Sequence, residues 1–362
     1  MSEPTEQSLL LPGQSPDGRY VLAGLVKRTY DVQPGAACTR AEADRKLAPA
    51  DEHFGDPMNS TVRSETDFVP WKLATDVVFS GSAHAPGGEA VRELRVAFAI
   101  GPHRKELVVR GDRFCSHRGR RAPSFSDPEP FTEMELRYER AYGGTDVRSN
   151  PELPCIYPRN HLGLGYVIEN EARAVDGLPL PNLEDPRDPL TPERLCVGRL
   201  EDWTRQPMPQ SLGWFYRCWH PRAALAGVLP ADRATEKELR EVYAQAVPED
   251  QRQAYRDAAL PDMDFRYFNG ASEGLAVPFL AGTEEVRLTH LSPEGELTFR
   301  LPGDRPRIGI DLGSGPIEPE VVLHSVIVRG PERQVDLVWR GAIPYDGPES
   351  IPSLPKLELF VA

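Results

Sequence analysis

The chain has 362 residues, and its 55 acidic side chains outnumber its 42 basic ones to give a formal net charge of −13. This acidity argues against a general nucleic-acid binder, because contacts to phosphates require a basic surface. No stretch reaches the roughly 18 consecutive apolar residues of a membrane span. The first seven residues carry two glutamates and no basic residue, unlike a secretion signal. We therefore expect a cytoplasmic globular protein without membrane insertion.

Cysteine spacing gives no sign of a disulfide framework or a zinc site. The five cysteines are odd in number and far apart, and no C-x-x-C pair occurs. An ordinary structural zinc site needs closely spaced ligand pairs. The eight histidines are also scattered, without a pair one helical turn apart. The sequence predicts neither a metal nor another cofactor.

Strand patterns dominate the first part of the chain. The clearest alternation places Val96, Phe98 and Ile100 on one face. A glycine- and proline-containing loop joins this run to the next apolar run, which predicts a hairpin. The predicted strands of this part are Tyr20–Val32, Ala74–Ser80, Val91–Ile100, Glu106–Arg110 and Glu133–Arg140.

Dense prolines between residues 150 and 209 restrict regular elements to short lengths, because proline removes a donor and constrains its predecessor. Such a stretch must pack on another part of the protein, and the aromatic segment Trp214–Trp219 is the predicted anchor. The following segment shows helical spacing and predicts one helical insertion at 230–261. Its apolar positions are Leu239, Val242, Tyr243 and Ala246.

The final third returns to strand patterns and ends in an apolar tail, Leu357–Ala362, which is suited either to pair at a sheet edge or to pack on its own domain. The predicted strands are Glu285–Leu291, Glu296–Leu301, Val321–Arg329 and Gln334–Arg340.

These patterns predict a mainly β protein with β-sandwich-like sheets, long loops rich in proline and glycine, and one helical insertion; an α+β fold is the alternative. The predicted segments are a flexible N-terminal segment at 1–19, a first β region at 20–229, the helical insertion at 230–261, a second β region at 262–345 and a C-terminal tail at 346–362.

The segment Gly270–Gly274 matches G-x-S-x-G, the pattern that presents a serine nucleophile on a strand-to-helix turn of a hydrolase. Leu275–Leu280 contains a proline and no helical stripe, so the required following helix is missing. A plain turn is the favoured interpretation, and a serine hydrolase using Ser272 remains an alternative.

Two further groups of residues suggest binding. The acids Glu184, Asp185, Asp188, Asp262 and Asp264 have no calcium-loop spacing and fit turns and helix caps beside prolines. The tryptophans Trp203, Trp214 and Trp219 suit a stacking platform for sugars, although core packing explains them as well. A glycan-binding β module is therefore a second alternative.

An ordered series of short motifs resembles the bacterial family called domain of unknown function 2169, from Tyr20 to Arg340. The motifs are Gly81–Gly88, Gly111–Arg113, Glu129–Phe131, Tyr138–Gly144, Tyr157–Asn160, Gly177–Pro186, Trp219–Arg222 and Asp262–Asn269. Each motif alone is weak, but their order makes chance similarity improbable.

The resemblance implies a non-enzymatic cytoplasmic adaptor or chaperone of the type VI secretion system. Such a protein binds a secreted effector and helps to load it onto the spike formed by PAAR-domain and VgrG proteins. The family offers no catalytic motif to carry over. Residues that we expect at a partner-binding surface are the aromatic anchor and the apolar tail, namely Trp214, Trp219, Leu357, Leu359 and Phe360.

Overall fold

A computed structural model describes residues 7–117, 122–227, 263–353 and 358–362. Within these ranges the chain is mainly β, which confirms the predicted fold class. The predicted helical insertion at 230–261 lies outside the described residues, as do Asp262 and Leu357.

The strands are short except in two central sheets. Up to residue 227 they are β1 Ser8–Gln14, β2 Tyr20–Asp31, β3 Thr39–Arg40, β4 Glu52–His53, β5 Val62–Ser64, β6 Thr75–Ser80, β7 Ser82–His84, β8 Glu93–Ile100, β9 His103–Arg110, β10 Cys115–Ser116, β11 Ser124–Phe125, β12 Glu133–Glu135, β13 Tyr142–Gly143, β14 Thr145–Asp146, β15 Cys155–Ile156, β16 Leu164–Gly165 and β17 Leu183–Glu184. From residue 263 they are β18 Ala276–Val277, β19 Glu285–Thr289, β20 Glu296–Arg300, β21 Ile308–Asp311, β22 Pro316–Ile317, β23 Val321–Arg329, β24 Gln334–Pro344 and β25 Glu358–Val361.

Helices are brief in the described ranges. The α-helix α1 spans Ala172–Val175. The 3₁₀ helices are Pro86–Gly88, Tyr138–Arg140, Pro192–Arg194, Leu200–Arg205, Arg222–Ala226, Phe265–Phe268 and Pro348–Ser353. The predicted strand Glu133–Arg140 is therefore a strand only over β12 and ends in a 3₁₀ turn.

Two sheets form the core of the fold. Sheet A has seven strands in the order β1-β2-β24-β23-β6-β18, with β3 added beside β2. Sheet B has five strands in the order β17-β9-β8-β19-β20. Every pairing in these sheets is antiparallel except that of β23 with β6.

The two sheets bury one shared apolar layer, as expected for a β-sandwich. Alternate residues of β2, β6, β23 and β24 contribute to the same cluster as alternate residues of β8, β9, β19 and β20. Phe79 of β6 and Phe98 of β8 meet within it, with ring centroids 6.1 Å apart. Because strand side chains alternate in direction, this layer uses only one face of each sheet.

Strand pairing joins the two predicted β regions, which are distant in sequence. In sheet A, β2 pairs along its length with β24. In sheet B, β8 pairs with β19. The segments 20–229 and 262–345 therefore share both sheets and one core, because hydrophobic alternation reveals strands but not their partners.

The predicted flexible segment at 1–19 contains a strand. Residues of β1 pair with β2 from Ser8 to Gln14, and Lys27 N–H donates to Gln7 C=O at 2.9 Å. Leu9 and Leu11 pack on Leu25. The local sequence is a weak strand signal because Pro12 and Gly13 follow the leucines, but tertiary pairing with β2 overrides it.

The proline-rich loops between 150 and 209 pack around a second, smaller core. The T-shaped contacts of Tyr157 with Tyr142 and Trp203 have centroid distances of 5.1 and 6.2 Å. Val167, Val175 and other apolar side chains surround these rings. Burial of large rings thus supplies the apolar area that orders a stretch with little regular structure.

The C-terminal tail docks on its own domain. In β25, Leu359 pairs with Ile310 of β21 and is 6% exposed. Its Cδ1 lies only 2.7 Å from the position that a Cβ on Gly24 would occupy. A side chain at residue 24 would clash with Leu359, so the glycine lets the tail approach β2 closely.

We predict that Leu359→Ala lowers the free energy of unfolding by about 2–5 kcal/mol, because it leaves a cavity between β25 and sheet A. Urea denaturation measures the change. Ile317→Ala is the control, since Ile317 is 47% exposed and its truncation is expected to cost below about 1 kcal/mol. Equal effects of the two substitutions would contradict the docked tail.

Candidate functional site: a charged groove beside the β8–β9 hairpin

A groove of about 800 Å³ opens beside the hairpin formed by β8 and β9. Four basic side chains and three acidic ones line it, in contrast to the acidic excess of the whole chain. The lining residues are Arg95, Arg104, Lys105, Glu106, Asp185, Pro186, Arg187, Gln210, Glu273 and Gly274.

The β8–β9 hairpin forms one wall of the groove, and its turn is tight. Ile100 pairs with His103 across two residues, and Gly101 there has φ +52°. Glycine adopts this left-handed conformation without the steric cost of a side chain. The predicted loop at 101–105 is therefore shorter in the structure, and Lys105 belongs to strand β9.

The opposite wall begins where β17 ends. Asp188 N–H donates to Asp185 C=O at 3.1 Å, and Arg187 N–H donates to the Asp185 carboxylate at 2.8 Å. Pro186 has no N–H with which to continue a strand ladder. The chain consequently turns away from β9 after Glu184 and leaves the groove beside the strand.

Ion pairs neutralise part of the groove lining. Arg104 pairs with Glu106 at 2.6 Å, and Arg187 pairs with Asp185 at 2.9 Å. The Arg187 hydrogen bond lowers the pKa of the Asp185 carboxyl below its usual value. The four basic and three acidic side chains give the lining a formal net charge of +1, and no ion pair of Arg95 is found in the described part of the chain.

Lys105 lies at the base of the groove, against the turn that contains the predicted serine. Its ammonium donates to Ser272 Oγ at 2.7 Å and to Glu273 C=O at 2.8 Å. Burial lowers the pKa of Lys105 to about 8, against the partly compensating charge of Glu273. Ser272 in turn donates its hydroxyl proton to Ser211 C=O at 2.7 Å.

This arrangement buries Ser272 and engages its hydroxyl in two hydrogen bonds. The Ser211 carbonyl holds the hydroxyl proton, and Lys105 in its ammonium form donates to the serine oxygen, so Lys105 must first lose its own proton before it could act as a general base. Ser272 is also only 1% exposed and does not line the groove. The serine therefore joins β9 to the 272–274 turn by hydrogen bonds.

Each of the two glycines of the G-x-S-x-G segment is required at its position for a different structural reason. A Cβ on Gly270 would lie 1.9 Å from a carboxylate oxygen of Glu65, so this position has no room for a side chain. Gly274 has φ +81° in the turn closed by Leu275 N–H and Ser272 C=O. A close approach and a left-handed turn explain the pattern without a catalytic elbow.

A buried carboxylate holds this segment against sheet A. Asp76 of β6 is fully buried and accepts from the Lys72 ammonium at 2.6 Å. It also accepts from the backbone N–H groups of Gly270 and Ala271, each at 3.1 Å. Its oxygens are thus satisfied by donors from two separate segments, as a buried charge requires.

The structure places the predicted aromatic residues inside the protein. Trp214 and Trp219 are 3% and 4% exposed, and Trp203 is 2% exposed. Trp219 packs edge-on against Tyr138 with a centroid distance of 5.1 Å and donates to His161 Nδ1 at 3.1 Å. No ring face is open for a sugar or a partner, so these residues serve the core instead.

The tail residues give a similar correction. Leu359 is buried and Phe360 lies in the paired strand β25 opposite Gly309, so the tail is already engaged by its own domain. Leu357 lies outside the described residues. Of the predicted partner-binding residues, those described do not form one exposed surface.

The predicted acidic clusters are used in ion pairs and caps. Glu184 is buried and accepts from Arg113 at 2.8 Å and from Leu190 N–H at 3.0 Å. Asp264 accepts from Arg266 N–H at 2.9 Å and caps a 3₁₀ helix. Among the described residues, no group of three or more His, Cys, Asp or Glu side chains is placed to hold a metal ion.

Sequence reasoning missed Lys105 and Asp76, the two charged residues that organise this region. A signal for Lys105 was present: it falls on the inward-facing side of β9 with Leu107 and Val109. A lysine at such a position indicates a buried partner. Asp76 has no comparable signal, because its partners at 270 and 271 are distant in sequence.

The two packed sheets and the ordered segments between them place the chain in the class of mainly β proteins with long ordered loops. A family model described as "Uncharacterized protein conserved in bacteria (DUF2169)" matches residues 17–340, and the chain belongs to this family. No curated protein and no solved structure matches the chain. None of the helices in the described ranges has the length and apolar character needed to cross a membrane.

Replacing Ser272 by alanine tests its structural role. We predict that Ser272→Ala lowers the free energy of unfolding by about 1–3 kcal/mol, because the Lys105 ammonium and the Ser211 carbonyl each lose a partner. Ser124→Ala, at an exposed hydroxyl, is the control in the same urea titrations. If the wild type hydrolyses an ester and Ser272→Ala does not, Ser272 is a nucleophile and the purely structural role is wrong.

The pKa of Lys105 predicts a pH dependence of stability. The folded lysine releases its proton near pH 8, whereas the unfolded lysine keeps it to about 10.5. Between these two pH values the unfolded state binds more protons than the folded state, so this lysine makes the free energy of unfolding increase with pH. Urea titrations between pH 7 and 10 should show the wild type gaining stability relative to Lys105→Met. A constant or falling difference would contradict the lowered pKa.

Proposed function

We propose that this protein is a non-enzymatic cytoplasmic adaptor that binds a type VI secretion effector and helps to load it onto the PAAR and VgrG spike. The observation that carries the proposal is the extent of the family match, which covers residues 17–340. The ordered motifs resemble the same family over this range, and that resemblance implies the accessory role.

The geometry around Ser272 favours binding over catalysis. The one serine in a hydrolase-like pattern is buried, and its hydroxyl is committed to a backbone carbonyl. The tryptophans considered for sugar stacking are enclosed by other side chains. In the described residues Ser272 is closed off from the groove and the tryptophans offer no open ring face, so neither alternative has an accessible site.

The charge of the chain suits a basic client. A net charge of −13 attracts a positively charged partner over long range and raises the rate of encounter. An adaptor of this kind needs an interface of about 1,200–2,000 Å² of total buried surface for stable binding. A 362-residue chain offers ample area for such an interface.

Affinity purification from the native bacterium tests the proposal. We expect the tagged protein, expressed with the secretion machinery, to retain a PAAR-domain or VgrG protein together with a candidate toxin, identified by quantitative mass spectrometry. Recovery should fall as salt is raised, because screening weakens the long-range attraction.

An unrelated acidic protein of similar charge, carrying the same tag, controls for nonspecific electrostatic capture. The proposal fails if cells that produce the spike proteins yield no enrichment of spike or effector over this control. It also fails if deletion of the gene leaves effector secretion unchanged.

A further inference from the structure

We propose that the edge of β9 in the charged groove is a docking site for an extended peptide segment of a partner protein, which adds to sheet B as a further strand. The proposal deepens the proposed function by naming the surface through which a client binds. It rests on the backbone geometry of the groove, which can be tested without the client.

The orientation of the β9 backbone follows from its neighbours. Arg110 N–H donates to Asn182 C=O, and Val108 lies opposite Glu184 of β17. In an antiparallel ladder, the polar backbone groups of alternate residues point to the same edge. The N–H and C=O groups of Arg104 and Glu106 therefore also face this edge.

The covering strand stops before it reaches these groups. β17 pairs only with Val108 and Val109, and the turn that starts at Asp185 carries the chain away. No backbone partner of Arg104 or Glu106 on this edge is found among residues 7–117, 122–227, 263–353 and 358–362. The groove of about 800 Å³ lies beside them.

An exposed row of unpaired backbone groups is a template for strand addition, which main-chain hydrogen bonds make largely independent of sequence. The edge from His103 to Leu107 extends ~13 Å at the usual rise along a strand, so it accepts a segment of about five residues. Proteins usually cover such an edge or block it with proline. Here Arg104 and Glu106 are charged but leave their N–H groups available.

The charge of the groove indicates which side chain the bound peptide should carry. Arg104 and Arg187 are already paired within the groove, whereas Arg95 has no ion pair among the described residues. A peptide with an acidic side chain that reaches Arg95 would neutralise the remaining charge. The occupant is thus an extended segment with one acidic residue, whatever the overall charge of the partner.

Amide hydrogen exchange of the full-length protein alone tests the open edge. The amides of Arg104 and Glu106 should exchange quickly, whereas those of Lys105 and Leu107, which face β8, should be protected. Protection of all four amides would overturn the proposal, because another segment of the chain or a second copy would then cover the edge.

Selection with a phage-displayed library of random dodecapeptides tests binding. Glu106→Pro removes the outward N–H and leaves the β8 ladder intact, and Glu106→Ala is the matched control that keeps the N–H. Selected peptides should alternate in character, carry an acidic residue and bind Glu106→Pro at least about tenfold more weakly than Glu106→Ala. Failure to enrich peptides, or equal binding to both variants, would overturn the proposal.

The same two variants separate this inference from the adaptor function. If Glu106→Ala and Glu106→Pro retain a spike or effector equally in the affinity purification, the adaptor role stands and the β9 edge is not its docking site. If the library peptides require the β9 edge but no spike or effector is retained, the docking site stands and the adaptor role fails. Unfolding temperatures of both variants close to that of the wild type exclude a trivial loss of fold.

Discussion

The buried carboxylate of Asp76 is the interaction on which the groove and its surroundings depend. It lies in β6, within sheet A, and binds the Lys72 ammonium and the backbone of residues 270 and 271. A buried charge is costly unless donors surround it. The backbone of residues 270 and 271 is therefore held at this carboxylate. Its position in turn fixes Ser272 and the turn beside the groove.

From this anchor the structure proceeds outward to sheet B. Ser272 accepts from the Lys105 ammonium, so one polar chain connects β6, the 270–274 segment and β9. The shared apolar layer supplies most of the driving force for joining the sheets, and the polar chain sets how one loop sits at their margin. The groove is thus a consequence of packing at the edge of the sandwich, where β17 leaves β9.

The strands Glu93–Ile100 and Glu296–Arg300 were predictable because their residues alternate between a buried and a less buried face. The short strand Ser8–Gln14 was not, because its formation depends on β2. The candidate site was found only in part: the sequence indicated a turn at Gly270–Gly274 but gave no pairing of Ser272 with Lys105. Residues 105 and 272 are too far apart for local spacing to reveal their contact.

The sequence by itself determined that the chain is mainly β, acidic and a member of its family, since composition, alternation and motif order can all be read along the chain without knowing which segments touch. Only the tertiary structure decided which strands are neighbours, that Trp214 and Trp219 belong to the core, and that Leu359 closes against Gly24. These outcomes depend on contacts between distant segments. Burial and strand pairing are set by the whole packed chain, so no single segment specifies them.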